Sequence, residues 1–151
     1  MPTITPFLTY NKQAEEAVHH YLSIFDGKIL GTMPGPNGSV MGLTFEILNQ
    51  TFIALNAGPS FTFTEGFSIF VSVETQEEVD RYWKKLTENG GKESQCGWLV
   101  DKFGVSWQIV PEILPKLFSA KDREKAGRAI QAMMGMRKLD IAGLQRAFDG
   151  K

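Results

Sequence analysis

The chain has 151 residues, 42% of them hydrophobic and 22% charged, with 16 lysines and arginines against 17 aspartates and glutamates. That balance suits one globular domain or two small repeated modules and excludes a disordered chain. A net charge of −1 leaves no basic excess to neutralise phosphates, so no nucleic-acid partner is expected.

The N-terminus, Met-Pro-Thr-Ile-Thr-Pro, has no basic leader, and no apolar run approaches the roughly 18 residues of a membrane span. Neither a signal peptide nor a membrane association is expected. Cys96 is the single cysteine, so no internal disulfide forms, which fits a reducing cytoplasm.

Thr3 to Tyr10 is rich in β-branched and aromatic residues and predicts a strand, with Pro6 placing it at an edge or bulge. Asn11 is a candidate N-cap. Ala14, Ala17, Val18, Tyr21, Leu22 and Phe25 then recur at helical spacing and predict a helix with one apolar face. Asp26-Gly27 ends it, the glycine offering a left-handed residue. Lys28 to Met33 reads as a short strand, and Pro34 to Gly38 as a loop. Val40 to Leu48 and Thr51 to Ala57 form a hairpin about Asn49-Gln50.

After a linker from Gly58 to Glu65 the order begins again. Phe67 to Val73 predicts a strand. Thr75 and Glu78 form a capping box ahead of a helix carrying Val79, Tyr82, Trp83 and Leu86. Asn89-Gly90-Gly91 ends that helix. Lys92 to Gln95 is a marginal strand, and Gly97 to Lys102 and Val105 to Val110 a hairpin turning at Phe103-Gly104. In the tail, Ser119 with Asp122 resembles a capping box, and Asp140 is a candidate cap for a last helix through Ile141, Leu144 and Phe148.

The order β-α-β-β-β therefore occurs twice, over 1–58 and 66–111, followed by a helical tail over 112–151. The expected class is α+β. Each module covers one sheet face with its helix and leaves the other bare. Two modules side by side curl their mixed sheets into a shared cup, the natural ligand site. Strand alternation sets Ser106 and Gln108 against Trp107 and Ile109, and Ser68, Phe70 and Ser72 against Ile69, Val71 and Val73. If the helix covers Trp107, the cup is lined by Gln108, Ser106, Ser68, Phe70 and also Asn56, a polar but uncharged set. Glu46, between Phe45 and Ile47, faces the cup or water.

Other polar residues have simpler roles. His19 and His20 are helical neighbours about 100° apart and cannot share a metal. Cys96 has no evident activating base. Glu15-Glu16 and Glu77-Glu78 sit in first turns, where the helix dipole favours negative charge. No catalytic residue is assigned. The stripe Ala126, Ile130, Met133 and Met134 needs cover, either from a second copy in a homodimer, the expected arrangement, or from its own second module.

The run from Cys96 to Pro111, with Pro6-Phe7-Leu8 and with Met136 to Ile141, closely resembles the PhnB-like branch of the vicinal-oxygen-chelate (glyoxalase, bleomycin-resistance, dioxygenase) superfamily. The resemblance implies paired β-α-β-β-β modules, commonly dimeric, with a small-molecule ligand in the cup. In its metal-dependent members four strands each give one ligand. Alignment places those positions at Pro6, Ala54, Ser68 and Gln108, and a slip of one residue finds Thr5, Phe7, Ile53 or Leu55. Only Gln108 is a respectable oxygen donor, so no metal or other cofactor is expected. The expected function is binding of a small organic molecule without the metal. One alternative is a metal-dependent lyase, isomerase or dioxygenase of the glyoxalase type, with Glu46 and Gln108 as ligands. Another, ranked last, is the 3-demethylubiquinone 3-methyltransferase activity with which such proteins are often labelled. The first strand enters its helix through Tyr10-Asn11-Lys12, without the glycines that bring a backbone close to such a cofactor.

Overall fold

The computed structural model describes residues 1–151, which divide into two compact units, Met1–Phe63 and Thr64–Lys151. The division falls in the expected linker, and the tail belongs to the second unit. No helix is long and apolar enough to cross a membrane.

In the first unit, alternate residues decide which sheet face is buried. Leu8 and Tyr10 of β1 (Phe7–Tyr10), Leu43, Phe45 and Ile47 of β3 (Val40–Ile47), and Phe52 and Ala54 of β4 (Gln50–Asn56) are all buried. They pack under Ala14, Ala17, Val18 and Tyr21 of α1 (Ala14–Ile24). The Tyr21 ring stacks on Phe45 at 6.4 Å, and the Tyr10 and Tyr21 hydroxyls share a hydrogen bond. β2 (Gly27–Pro34) completes the order β1-β4-β3-β2, with β1 and β4 parallel and the other pairs antiparallel.

The first strand begins at Phe7, later than its residue types suggest; Pro6 precedes it and accepts a hydrogen bond from Ile53 N through its carbonyl. The β3–β4 hairpin turns at Leu48-Asn49, one residue earlier than expected, with both residues at positive φ, as the tight right-twisted hairpin turn requires. Asn11 does not cap α1. The free amide of Ala14 is taken by Asn56 Oδ1 at 2.8 Å, from the end of β4.

The second unit repeats the pattern with β5 (Ser68–Val73), α2 (Gln76–Thr87), β6 (Lys92–Glu93), β7 (Trp98–Val100) and β8 (Ser106–Pro111), in the order β5-β8-β7-β6. The capping box is present: Glu78 N donates to Thr75 Oγ1, and Thr75 N to Glu78 Oε1. Backbone N–H groups of Glu74 and then Thr75, both donating to the Glu78 carboxylate, hold its pKa below the ordinary value. α2 packs on β7 and β8, burying Val79, Tyr82, Trp83 and Leu86.

The tail folds as α3 (Ile113–Phe118), α4 (Arg123–Met134) and α5 (Ile141–Asp149), around a cluster of Val110, Leu114, Leu117, Ala129, Leu139 and Leu144. Each of the four leucines stabilises by about 2 kcal/mol when fully buried. The apolar stripe expected to need a second copy is thus largely covered within the chain: Ala126 and Ala129 are fully buried, and Met134 alone is exposed. Asp122, not Ser119, caps α4; the Ser119 hydroxyl closes α3 by donating to Pro115 O.

Several groups of bonds tie the tail to the β-α-β-β-β core, among them an Arg137–Glu93 ion pair at 3.8 Å. Cys96 N and Gly97 N donate to the carbonyls of Met136 and Arg137. Lys138 Nζ lies 2.9 Å from Asp80 Oδ1. Gln76, in the first turn of α2, donates to Leu139 O and accepts from Ile141 N, so it supplies the cap that the Asp140 side chain does not. The hydrogen bond from Gln76 and then Lys138 hold the Asp80 carboxyl below its usual pKa. That contribution is present at neutral pH and is lost as pH falls below the ordinary carboxylate range. Gln76→Ala removes the cap and two further bonds, to Leu139 O and Asp80 Oδ1, and is expected to cost about 2 kcal/mol in urea unfolding and to expose the tail to limited proteolysis. An unchanged midpoint would show that the tail is held without it.

Candidate functional site

The face of the second sheet opposite α2 carries most of the polar side chains singled out in the sequence. Trp107 and Ile109 are fully buried on the α2 side with Leu99, so Ser106 and Gln108 take the other side. Ser68 pairs across β5 and β8 with Ser106, and Phe70 with Gln108. Gln108 Nε2 donates to Ser68 Oγ at 2.9 Å. Ser106 is 2% exposed as a residue; its hydroxyl bonds to no protein group and keeps contact with solvent. Phe70 lies 56% exposed on the same face. Gln108, Ser68, Ser106 and Phe70 are therefore brought together. Val110, next on this face, is buried in the tail cluster, so the tail bounds the site at one end.

Trp98 belongs to this group as well. Its Cα pairs with Gln108 across β7 and β8, and its neighbour Leu99 is fully buried on the other side. Sequence reading missed it. The signal was the alternation Trp98, Leu99, Val100, but assigning a face to a strand of three residues requires the pairing with β8.

The turn from β7 to β8 keeps this register. Asp101, 2% exposed, accepts from Phe103 N and Val105 N through Oδ1 and from Trp107 Nε1 through Oδ2. Gly104 follows at φ +93°, a conformation that glycine adopts without strain. The carboxylate thereby holds the Trp107 indole on the helix side and presents Gln108 to the other.

The two remaining candidates lie in the first unit. Asn56 is on the helix side of its sheet, in phase with Phe52 and Ala54, and its side chain is engaged at Ala14 N. It does not share a face with Glu46, which stands half-buried on the open side, paired with Lys28 on β2 and Thr51 on β4. That side also carries Phe7, Thr9, Ile53 and Leu55.

The positions aligned with a metal centre shift accordingly. Ala54 is fully buried against α1, so the open-face residues of β4 are Ile53 and Leu55, and Phe7 stands beside Ile53 on β1. Hydrocarbon side chains donate nothing to a metal, and Ser68 is already bonded to Gln108. No three His, Cys, Asp or Glu side chains come together in an arrangement that would hold a metal ion. The donor set does not fit the metal that the resemblance implies.

Comparison with known proteins matches residues 2–110 to the family model described as 3-demethylubiquinone-9 3-methyltransferase. A PhnB protein from Bacillus cereus, provisionally assigned that same activity, is 33% identical; the match covers 73% of this chain and 99% of that one, with a TM-score of 0.67. Protein PA1353 from Pseudomonas aeruginosa shares the fold at 23% identity and a TM-score of 0.63, over 74% of this chain and 98% of its own. The fosfomycin resistance protein FosX from Listeria monocytogenes, complexed with Mn(II) and sulfate, shares the fold at 16% identity and a TM-score of 0.56, over 72% of this chain and 89% of its own. No protein of curated function matches the chain. On the family model and the Bacillus cereus relative, this chain belongs to the PhnB-like, 3-demethylubiquinone-9 3-methyltransferase family.

Proposed function

We propose that the protein binds a small organic molecule on the open face of its second sheet, without the superfamily metal. The observation that carries this reading is the Gln108–Ser68 pair on the open face of the sheet, with Phe70 exposed beside it. Gln108 spends one N–H on Ser68 and keeps its carbonyl oxygen and second N–H for a ligand group. Serine and glutamine side chains are poor acids and bases near neutral pH, so binding and positioning are the chemistry this face offers best.

The experiment is a screen of small organic compounds, followed by 15N NMR of the Gln108 side-chain amide. Binders are expected to shift that amide and to lose affinity in Gln108→Leu. Binding that leaves the Gln108 amide untouched would place the ligand elsewhere.

FosX is complexed with Mn(II), whereas here the corresponding strands present Phe7, Ile53, Ser68 and Gln108. Tag-free protein is expected to retain no stoichiometric zinc, nickel, iron or manganese after dialysis. Elemental analysis finding one such ion per chain would overturn the metal-free reading and favour a glyoxalase-type metalloenzyme with Glu46 among its ligands. The methyltransferase description of the family ranks below both. Asn11, Lys12 and Gln13 join β1 to α1 without a glycine, so that turn offers no close backbone approach of the kind a classical S-adenosylmethionine site uses.

A further inference from the structure

We infer that the ligand of this face is an uncharged, planar aromatic or heteroaromatic ring with an N–H beside a C=O on its edge, as in an aromatic lactam; the inference rests on the ligand-binding reading above. Its basis is the row of side chains across the sheet. Gln108 on β8 pairs with Phe70 on β5 on one side and with Trp98 on β7 on the other. An amide thus lies between two aromatic side chains, one of them more than half exposed. Rings offer flat, polarisable faces that favour stacked or edge-on contact with another ring over contact with a puckered one.

The polar groups set the edge chemistry. Gln108 uses one N–H on Ser68, leaving its carbonyl oxygen and second N–H without a partner in the protein. An amide side chain with both groups available pairs with a donor–acceptor edge. The Ser106 hydroxyl, one row away on the same face and not engaged by a protein group, adds a third point of attachment. Neutrality follows from what the face lacks. β5, β7 and β8 carry no ionisable side chain there, and the one charged group in register, Lys92, sits on the edge strand. An ionic ligand would lose hydration over the Gln108 row without gaining a counter-charge.

Three probes test the inference on the full-length protein: 2-pyridone, its saturated counterpart δ-valerolactam, and benzoate. Titrations are followed by the Gln108 side-chain amide and by Trp fluorescence. 2-Pyridone is expected to bind about tenfold more tightly than δ-valerolactam, the scale of one favourable aromatic contact. Benzoate is expected to bind no better than δ-valerolactam. Phe70→Ala, at an exposed position where folding is not at stake, is expected to erase most of the 2-pyridone preference. Equal binding of the two lactams, both shifting Gln108, would overturn the aromatic requirement and leave the ligand-binding reading intact. Benzoate binding as tightly as 2-pyridone would overturn neutrality. A preference that survives in Phe70→Ala would overturn the role of the aromatic row. If none of the three shifts the Gln108 amide while other screened compounds do, the ligand class is wrong; if nothing does, both readings fall.

Discussion

Asp101→Ala is expected to destabilise the second unit by about 4 kcal/mol, a severe effect for one truncation. The carboxylate bonds to Phe103 N, Val105 N and the Trp107 indole N–H at 2.9 to 3.0 Å. Removing it strands three donors, each worth about 1–3 kcal/mol when cut off from water, with those nearest the surface recovering part by hydration. Urea unfolding with a Trp fluorescence readout measures the loss. Asp101→Asn refines the test. Its amide oxygen keeps the two backbone bonds, but its NH2 group meets the Trp107 N–H donor to donor, so an intermediate loss is expected. A fall of less than about 1 kcal/mol in Asp101→Ala would show that the turn holds without its carboxylate. The functional consequence runs through register. Once the indole is released, only the backbone bonds of the turn and the ladders to β5 and β7 hold the strand's register, so compounds that bind at Gln108 should bind Asp101→Ala more weakly even under conditions where it remains folded.

Gly27→Ala is expected to cost about 3 kcal/mol, at the upper end of the range for over-packing. A Cβ added to Gly27 would lie 1.9 Å from the carbonyl oxygen of Glu46 and 2.9 Å from the Cα of Ile47. Both obstacles are backbone, so no side-chain rotation relieves them, and the start of β2 must lift away from β3. Gly31→Ala, in the same strand, is the control: nothing lies within 4 Å of its added Cβ. It is expected to be neutral or to stabilise by up to about 1 kcal/mol through the unfolded chain. Thermal unfolding of both variants decides the point, and similar midpoints for the two would refute the close-approach argument.

Gly27 also shows what sequence can and cannot reveal. An Asp-Gly pair at a helix end suggests a left-handed stop, yet α1 closes at Phe25 in extended geometry and Gly27 is already in β2, chosen for proximity to its neighbour strand. The local rules read well elsewhere. The apolar stripe of α1, the Thr75–Glu78 box, the doubled element order and the opposition of Trp107 to Gln108 all depend on neighbours within a few residues, and all are present in the structure. Features that depend on distant pairing were not legible. Asn56 caps a helix 42 residues earlier in the chain, and Gln76 caps one 65 residues later. Either amide, read locally, is an unremarkable polar residue; Asn56 was read as a ligand contact for that reason. Trp98 was missed because three residues of alternation do not fix a face. The tail stripe reads as calling for cover from a partner copy or from its own module, because nothing in its own sequence names the Val110 and Leu139 surfaces that receive it.

The bonds from Cys96 and Gly97 to Met136 and Arg137, with those from Gln76 to Leu139 and Ile141, impose an order on folding during synthesis. Every strand of the first unit finds its partner within the first 63 residues, so that unit can close while the rest is still being made. The second cannot finish until the chain has been extended through Ile141, and its long loops must be closed before the leucine cluster rewards them. Until then the Val110 end of its sheet is bare, and the nascent chain is open to misassembly there.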